Sequence, residues 1–195
     1  FFKYVNPVKI SENTIGFKLN FATTVAVSLD ASQNEDTDVG PLANVKQYKK
    51  VKDLIHTGIN DGDKIIIGGS NPPKNIDSGY YIEPTVFAYV TEEMSIFKEE
   101  IFGPVVCLRP FSDEAEMISE VNNTNFGLSG SVWSKDLSRA MRVAKRVESG
   151  VISINSHSSV HTEAPFGGFK SSGLGRDLGM SAMEACTEVK NIYFG

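Results

Sequence analysis

Cysteine and histidine are scarce in this sequence, and their scarcity removes two classes of site. The 195 residues include only two cysteines, Cys107 and Cys186, and three histidines. The spacing of these residues fits neither a metal-ligand set nor a thiol redox pair. We therefore expect no metal site.

Long apolar runs and an excess of positive charge are also absent. No run approaches the length of a membrane span, and the opening residues from Phe1 to Tyr4 do not resemble a signal peptide. The net charge of -5 argues against nucleic-acid or anionic-membrane partners. The composition, 41% hydrophobic and 22% charged, is typical of a globular domain with a sizeable core. We expect a cytoplasmic protein, with an organelle matrix as the alternative compartment.

Helical and strand patterns alternate from Leu42 onward. Val45, Tyr48, Val51, Ile55 and Ile59 recur at helical spacing, and Lys64 to Ile67 has the character of a short strand. Further strands are predicted at Val105–Phe111, Leu128–Ser134 and Val151–Asn155. Helices between them are capped by Ser112 and Asp136, and Gly150 is placed to end the second helix. This order predicts an α/β fold with a mainly parallel sheet and helices on both faces.

The first part of the chain has a different pattern. Phe17, Leu19 and Phe21 alternate with polar residues, which predicts strands. The stretch from Ser32 to Asp38 is polar and acidic and predicts a connector. We expect residues 1–38 to be a divergent segment with this connector, and residues 39–195 to form the main domain.

Three segments have the composition of functional loops. Pro165 to Asp177 contains four glycines, which permit positive φ and close approach of a ligand or of another chain. Glu99 to Pro104 places a carboxylate and an aromatic ring beside a Gly-Pro turn. Asn155 to His161 follows a parallel strand, where binding sites of such sheets lie. Each segment also has a plainer interpretation. The glycine-rich segment could be a surface loop, the Glu99 segment a solvated acidic turn, and the Asn155 segment a polar loop with exposed histidines.

Taken together, these segments resemble the aldehyde dehydrogenase family. Asp38 to Leu42, Gly79 to Thr85 and Thr187 to Lys190 fit the same family in the same order. The resemblance covers about residues 36–195, the carboxy-terminal part of the catalytic domain, whereas residues 1–33 do not match. It implies an NAD(P)-dependent oxidation of an aldehyde to a carboxylic acid through a cysteine thioester.

The resemblance also implies roles for particular residues. Glu100 matches the carboxylate that bonds the nicotinamide-side ribose, and Phe102 matches the aromatic beside the nicotinamide. Gln47 and Lys50 match residues near the other ribose. The implied cofactor is NAD or NADP. The substrate tunnel is matched by Phe166 and by the loop from Ser156 to Val160, where the small Val160 suggests a wide mouth.

The nucleophilic cysteine implied by the resemblance has no match. It should fall at about Phe1 or just before it, and the general-base glutamate and oxyanion asparagine should lie further upstream. Cys107, in an apolar strand, and Cys186, on the last helix, are expected to be inert. We therefore expect this chain alone to be inactive.

Two functions remain open at this stage. The chain is either a fragment or short form of a working aldehyde dehydrogenase, or a non-catalytic relative that acts through subunit association. The terminal segment, Glu188–Phe194, alternates like a strand and resembles the strand that family members use in association. It predicts a homo-oligomer or association with family subunits.

Overall fold

The computed structural model describes residues 39–62, 64–73, 76, 78–156 and 160–195, together with the backbone of residues 4–5, 8–11 and 14–16. The chain forms two compact units. The amino-side unit is Val8–Phe111, and the carboxyl-side unit combines Phe1–Pro7 with Ser112–Gly195.

Helices and strands alternate along most of the described chain. In chain order they are β1 (Tyr4–Val5), β2 (Val8–Ser11), β3 (Thr14–Gly16), α1 (Val45–Asn60), β4 (Lys64–Ile67), β5 (Thr85–Ala88), α2 (Ser95–Lys98), β6 (Val105–Leu108), α3 (Glu114–Asn122), β7 (Phe126–Gly127), β8 (Ser129–Val132), α4 (Leu137–Arg146), β9 (Val151–Ile154), β10 (Phe169–Lys170) and α5 (Gly179–Ala185).

The amino-side unit is built around the sheet β4-β5-β6 and the helix α1. Strands β4 and β5 pair antiparallel, and β5 and β6 pair parallel, while β2 and β3 form a separate antiparallel pair. Helix α1 begins where the Asn44 side chain accepts a hydrogen bond from the backbone N–H of Gln47, at 2.9 Å. Its apolar face enters a core whose buried members are Val51, Ile55, Ile82, Phe87, Val90, Ile96 and Ile101.

The carboxyl-side unit contains the parallel sheet β1-β8-β9 and the antiparallel pair β10-β7. Its fully buried and nearly buried hydrophobic side chains come from two helices: Met117 and Ile118 on α3, and Ala140 and Val143 on α4. Every residue of β8 and β9 remains partly accessible to solvent.

The α/β class is confirmed, and so are most of the predicted elements. Strands occur within all three ranges expected to be parallel, and β8 pairs parallel with β9 as predicted. The pairing is more mixed than predicted, however. Strand β6 pairs with β5, in a sheet separate from β8 and β9, because the chain from Thr85 to Ala88 supplies its neighbour.

Two predicted helix boundaries were wrong. The N-cap of α3 is Asp113 rather than Ser112, because the Asp113 carboxylate is the group that accepts the backbone N–H of Glu116, at 2.7 Å. Helix α4 starts after Asp136 as predicted but ends at Arg146, four residues before Gly150. Gly150 instead packs against the backbone of Gly167, where a side chain would not fit.

The terminal segment is not a strand within this single chain. Residues 187–195 have no assigned helix or strand, and Val189, Tyr193 and Phe194 are almost fully exposed. Among the described residues, the apolar side chains of this segment are therefore not packed on the chain's own sheet. The strands predicted around Phe17 to Phe21, and the connector before residue 39, lie outside the described residues.

Candidate functional site

The first turns of α1 lie against the Glu100–Pro104 segment. Gln47 and Lys50 are three residues apart, so both project from the same face of the helix. The Gln47 side-chain nitrogen Nε2 donates to the carbonyl oxygens of Ile101, at 2.8 Å, and of Phe102, at 2.9 Å. The Lys50 ammonium donates to the carbonyl oxygen of Glu100, at 2.8 Å. Three consecutive carbonyls are thus bound by two side chains of one helix.

The segment is also anchored to the core and to the sheet. Ile101 is buried in the hydrophobic cluster, and the Pro104 carbonyl accepts the backbone N–H of Thr85, at 2.8 Å. Gly103 lies so close to the side chain of Val51 that an added Cβ would come within 2.8 Å of it. The segment is therefore anchored on both sides of Phe102, which fixes the backbone position of that residue.

The two residues predicted to face the cofactor are exposed differently. The Phe102 side chain is 71% exposed, and its backbone has φ of 55°, which is uncommon for a large residue. Glu100 is half-buried, and its carboxylate has no hydrogen-bond or ion-pair partner among the described residues. An ionised carboxylate only accepts hydrogen bonds, so Glu100 suits a ligand that offers hydroxyl donors. An adjacent exposed ring suits a flat apolar group.

The four predicted cofactor residues are thus brought together in one unit. The Phe102 ring is exposed, and the Glu100 carboxylate has no partner among the described residues. The side-chain N–H groups of Gln47 and Lys50 bind backbone carbonyls of residues 100–102. The family resemblance implied that Gln47 and Lys50 lie near the other ribose, and gave no sign that they bind the backbone carbonyls of residues 100–102. The accepting carboxylate of Glu100 and the ring of Phe102 fit the ribose hydroxyls and flat ring of a nicotinamide nucleotide.

The predicted tunnel residues belong to the carboxyl-side unit. Ser156 and Phe166 are half-buried, whereas Val160 is 56% exposed. Phe166 is fixed by a pair of backbone hydrogen bonds with Asp177, both at 2.7 Å. The intervening residues 157–159 lie outside the described residues.

Asn155, at the start of the tunnel loop, is a positioning residue that sequence reasoning missed. Its side-chain oxygen accepts the backbone N–H of Ser134, at 2.9 Å, and its side-chain nitrogen donates to the Ser134 carbonyl, at 3.0 Å. Its φ is 52°, a conformation that asparagine tolerates better than most residues. An asparagine directly after a strand was the available signal, because this residue type favours such turns.

The glycine-rich segment, Pro165–Asp177, packs closely on its own chain. Gly168 is buried, and the Arg176 guanidinium donates to the carbonyls of Gly168, at 3.0 Å, and Gly175, at 2.6 Å. The same guanidinium lies 5.5 Å from the centre of the Phe169 ring. These glycines permit close approach of backbone to backbone within this unit.

The two cysteines differ in their surroundings. Cys107 is half-buried beside the core of the amino-side unit, and its thiol lies 3.7 Å from the carbonyl oxygen of Ile96. Cys186 is exposed at the end of α5. Across the described parts of the chain, no group of three or more metal-ligating side chains occurs. None of the described helices is long and apolar enough to cross a membrane.

Comparison with known proteins gives a consistent result. The model of the "Aldehyde dehydrogenase family" matches residues 17–192, so the match begins before residue 36, where the sequence motifs placed its start. A betaine aldehyde dehydrogenase from Rhizobium etli is 43% identical over 174 residues, which are 89% of this chain and 36% of that protein. A 3-succinoylsemialdehyde-pyridine dehydrogenase from a Pseudomonas species is 44% identical over 82% of this chain and 33% of its own length.

Solved structures show the same relationship. A Mycobacterium tuberculosis aldehyde dehydrogenase complexed with NAD+ has a TM-score of 0.79 and 35% identity, over 84% of this chain and 33% of that one. Aldehyde dehydrogenase C from Pseudomonas syringae, complexed with NAD+ and octanal, has a TM-score of 0.77 and 38% identity, over 82% and 33%. The chain spans about a third of the length of these relatives. It belongs to the aldehyde dehydrogenase family.

Proposed function

We propose that this chain supplies the nicotinamide-ribose contacts of NAD or NADP in an aldehyde dehydrogenase that contains it. The observation that supports this proposal is the half-buried Glu100 carboxylate, which has no partner among the described residues and lies beside the exposed Phe102 ring. Relatives of the same fold have been crystallised with NAD+, which agrees with this choice of ligand.

The proposed roles follow from the chemistry of the side chains. The cofactor, when bound, accepts a hydride. Glu100 accepts hydrogen bonds from ribose hydroxyls, a charge-assisted type that is stronger than a neutral bond. Phe102 offers a ring surface on which the nicotinamide packs, and so limits the positions that the cofactor's reacting end can take.

The substrate proposed for the whole protein is an aldehyde, which Ser156, Val160 and Phe166 contact. The identities to a betaine aldehyde dehydrogenase and to a 3-succinoylsemialdehyde-pyridine dehydrogenase are nearly equal, 43% and 44%. These two names refer to different substrates, so similarity does not favour either one for this protein.

Glu100→Gln tests the cofactor assignment in the protein that carries this chain at its natural length. The glutamine keeps the shape but loses the charge, and a hydrogen bond to a charged group contributes roughly 1.5–3 kcal/mol. We expect cofactor affinity and turnover to fall by about tenfold or more. Glu99→Gln, on the exposed neighbouring carboxylate, is the matched control. Full turnover and full cofactor affinity in the Glu100→Gln variant would refute the assignment.

We also propose that the 195-residue chain alone does not oxidise aldehydes. The support is its cysteine inventory, since neither Cys107 nor Cys186 lies at the position that the family resemblance gives the nucleophile. The test is NADH or NADPH formation by the purified chain with several aldehydes. Formation that stops after Cys107→Ser or Cys186→Ser would contradict the proposal.

A second function, association with other subunits, is favoured by the exposed terminal segment. Val189, Ile192, Tyr193 and Phe194 are between 68% and 99% exposed in this single chain. We infer that a second aldehyde dehydrogenase subunit covers them, because four apolar side chains exposed within six residues are typical of a contact surface. Deletion of residues 189–195 should shift the protein toward the monomer in light scattering. An unchanged monomer at high concentration, with and without the deletion, would argue against association.

The mass of the natural protein separates the two functions. A chain much heavier than 21.3 kDa supports the working enzyme, and a chain of this mass supports the non-catalytic associating relative.

A further inference from the structure

We propose that Gln47 is a positioning residue, whose side-chain amide sets the left-handed backbone conformation of Phe102 and so the direction in which the Phe102 ring meets the cofactor. This inference rests on the proposed function, in which Phe102 contacts the nicotinamide. It adds an indirect role for Gln47, through Phe102, to the ribose contact that the family resemblance implied.

The conformation of Phe102 requires a cause. At φ of 55° the Cβ of an L-residue crowds the backbone, and large side chains seldom adopt this region. Burial of the ring does not offset the cost, because the side chain is 71% exposed. A strained residue of this kind persists only where its surroundings hold it, and such residues cluster at binding sites.

The bonds from Gln47 provide that cause. A primary amide has two N–H donors on one nitrogen, and Nε2 donates to the carbonyls of Ile101 and Phe102. These two carbonyls belong to the peptide groups on either side of the Phe102 Cα. In an extended chain, successive carbonyls point to opposite sides, so a single nitrogen would not reach both. The double hydrogen bond therefore restricts φ and ψ of Phe102 together.

Helix α1 makes this restraint rigid. Gln47 is one turn before Val51, which is completely buried and packs against Gly103. The helix that carries the amide is therefore in van der Waals contact with the residue that follows Phe102. The packed helix therefore keeps the backbone of Gln47 close to the segment, where the side-chain amide reaches both carbonyls.

Lys50 provides the matched control. Its ammonium also binds a carbonyl of the same segment, but that of Glu100, which does not flank the Phe102 Cα. Removal of the Lys50 ammonium takes one anchor from the segment and leaves both bonds around Phe102 in place. A general loosening of the segment would appear in both variants, whereas loss of the Phe102 conformation would appear only in the Gln47 variant.

The experiment uses the protein that carries this chain at its natural length, with Gln47→Leu and Lys50→Met compared with the wild type. Crystal structures should show that φ of Phe102 leaves the positive region in Gln47→Leu and remains positive in Lys50→Met. The kcat/KM for the cofactor should fall about tenfold in Gln47→Leu, the size expected for the loss of one or two hydrogen bonds, while KM for the aldehyde is unchanged. A merely structural defect would lower kcat and leave both KM values unchanged.

Each contrary result has a separate meaning. If φ of Phe102 remains positive in Gln47→Leu, the inference is overturned, whether or not kcat/KM for the cofactor changes. The inference is also overturned if Gln47→Leu alters φ of Phe102 but leaves the cofactor kinetics unchanged, provided that Glu100→Gln still weakens cofactor binding. If neither Glu100→Gln nor Phe102→Ala changes cofactor affinity or turnover, the proposed function fails. The crystal structures still decide whether Gln47 sets the backbone conformation of Phe102. Should Gln47→Leu not fold, Gln47→Asn keeps the amide but shortens its reach, and the same outcomes apply.

Discussion

The two units of this chain fix their functional residues by different means. In the amino-side unit, the largest fully buried side chains form one cluster around Phe87 and Ile55, and two side chains of α1 bind the backbone of the Glu100–Pro104 segment. In the carboxyl-side unit, Phe166 is fixed by backbone pairing and by glycines packed against other backbone. One site depends on a packed core, and the other depends on close backbone contacts.

The difference extends to the strands themselves. Strand β5, the central strand of β4-β5-β6, is buried at every residue, whereas β8, the central strand of β1-β8-β9, is partly accessible along its whole length. Parallel strands are normally covered on both faces. We therefore expect the carboxyl-side unit to gain more stability than the amino-side unit from contacts with further protein surface.

The largest effect is expected in the core of the amino-side unit. Phe87 is completely buried, so Phe87→Ala should lower the free energy of unfolding by about 3–5 kcal/mol. Ile66→Ala on the neighbouring strand β4 is the control, because that side chain is 49% exposed and should cost less than about 1 kcal/mol. Urea unfolding followed by circular dichroism measures both. Equal decreases in the free energy of unfolding in the two variants would mean that the amino-side unit lacks the packed core that distinguishes it from the carboxyl-side unit.

The next effect tests backbone packing in the carboxyl-side unit. A Cβ at Gly150 would overlap the carbonyl oxygen of Gly167, so Gly150→Ala should cost about 1–3 kcal/mol. Gly130→Ala is the control, because its nearest neighbour is the mobile end of Ile152, at 3.2 Å. Fluorescence of Trp133, the single tryptophan, follows unfolding of this unit. If both variants unfold at the same urea concentration, close glycine packing does not stabilise the unit.

A smaller effect is expected at Asn155. Asn155→Ala removes both bonds to Ser134 and places alanine at a positive φ, so we expect a loss of about 1–2 kcal/mol. Asn155→Gly removes the same bonds but tolerates the conformation, so it should lose less. Comparing the thermal unfolding of the two variants separates the stability lost with the hydrogen bonds from the stability lost to backbone strain at positive φ. A glycine variant less stable than the alanine variant would contradict this account.

Much of the fold could be predicted from sequence because its signals are local. The Asp136 cap, the helical period of α1 and the apolar strands need only neighbouring residues to be recognised. Strand pairing depends on residues that are distant in sequence, which is why β6 was wrongly predicted to share a sheet with β8 and β9. The sequence, through the family resemblance, likewise assigned Glu100 and Phe102 to the nicotinamide half of the cofactor, and Gln47 and Lys50 to the other ribose. It contained no sign that Gln47 binds backbone carbonyls, since a residue's identity does not reveal the conformation of a segment 54 positions away.

The smallest effect concerns a surface ion pair that joins α3 to α4. Arg142 donates from Nε and Nη2 to the two carboxylate oxygens of Glu114, both at 2.8 Å, and Arg139 lies 3.6 Å away. The hydrogen bond from Arg142 is the main cause that lowers the pKa of Glu114 below its ordinary value of 4.5, and burial of the carboxylate opposes it. A lowered pKa in the folded state means that the pair stabilises the fold above the unfolded-state pKa. That contribution is lost as the pH falls through the folded-state value.

We therefore expect the wild type to be slightly more stable than Glu114→Gln at about pH 7, and this difference to shrink as the pH falls below the ordinary pKa of 4.5. High salt at neutral pH should also reduce it, because the pair is exposed to solvent. Glu116→Gln, on an exposed carboxylate in the same first turn of α3, is the matched control for the loss of one negative charge. Thermal unfolding of the three proteins at several pH values makes the measurement. A Glu114→Gln difference that grows toward acid pH would show that the carboxylate is destabilising in its charged form, and that α3 and α4 are held together by other contacts, such as those of the Asn122 side chain with Arg146 and Glu148.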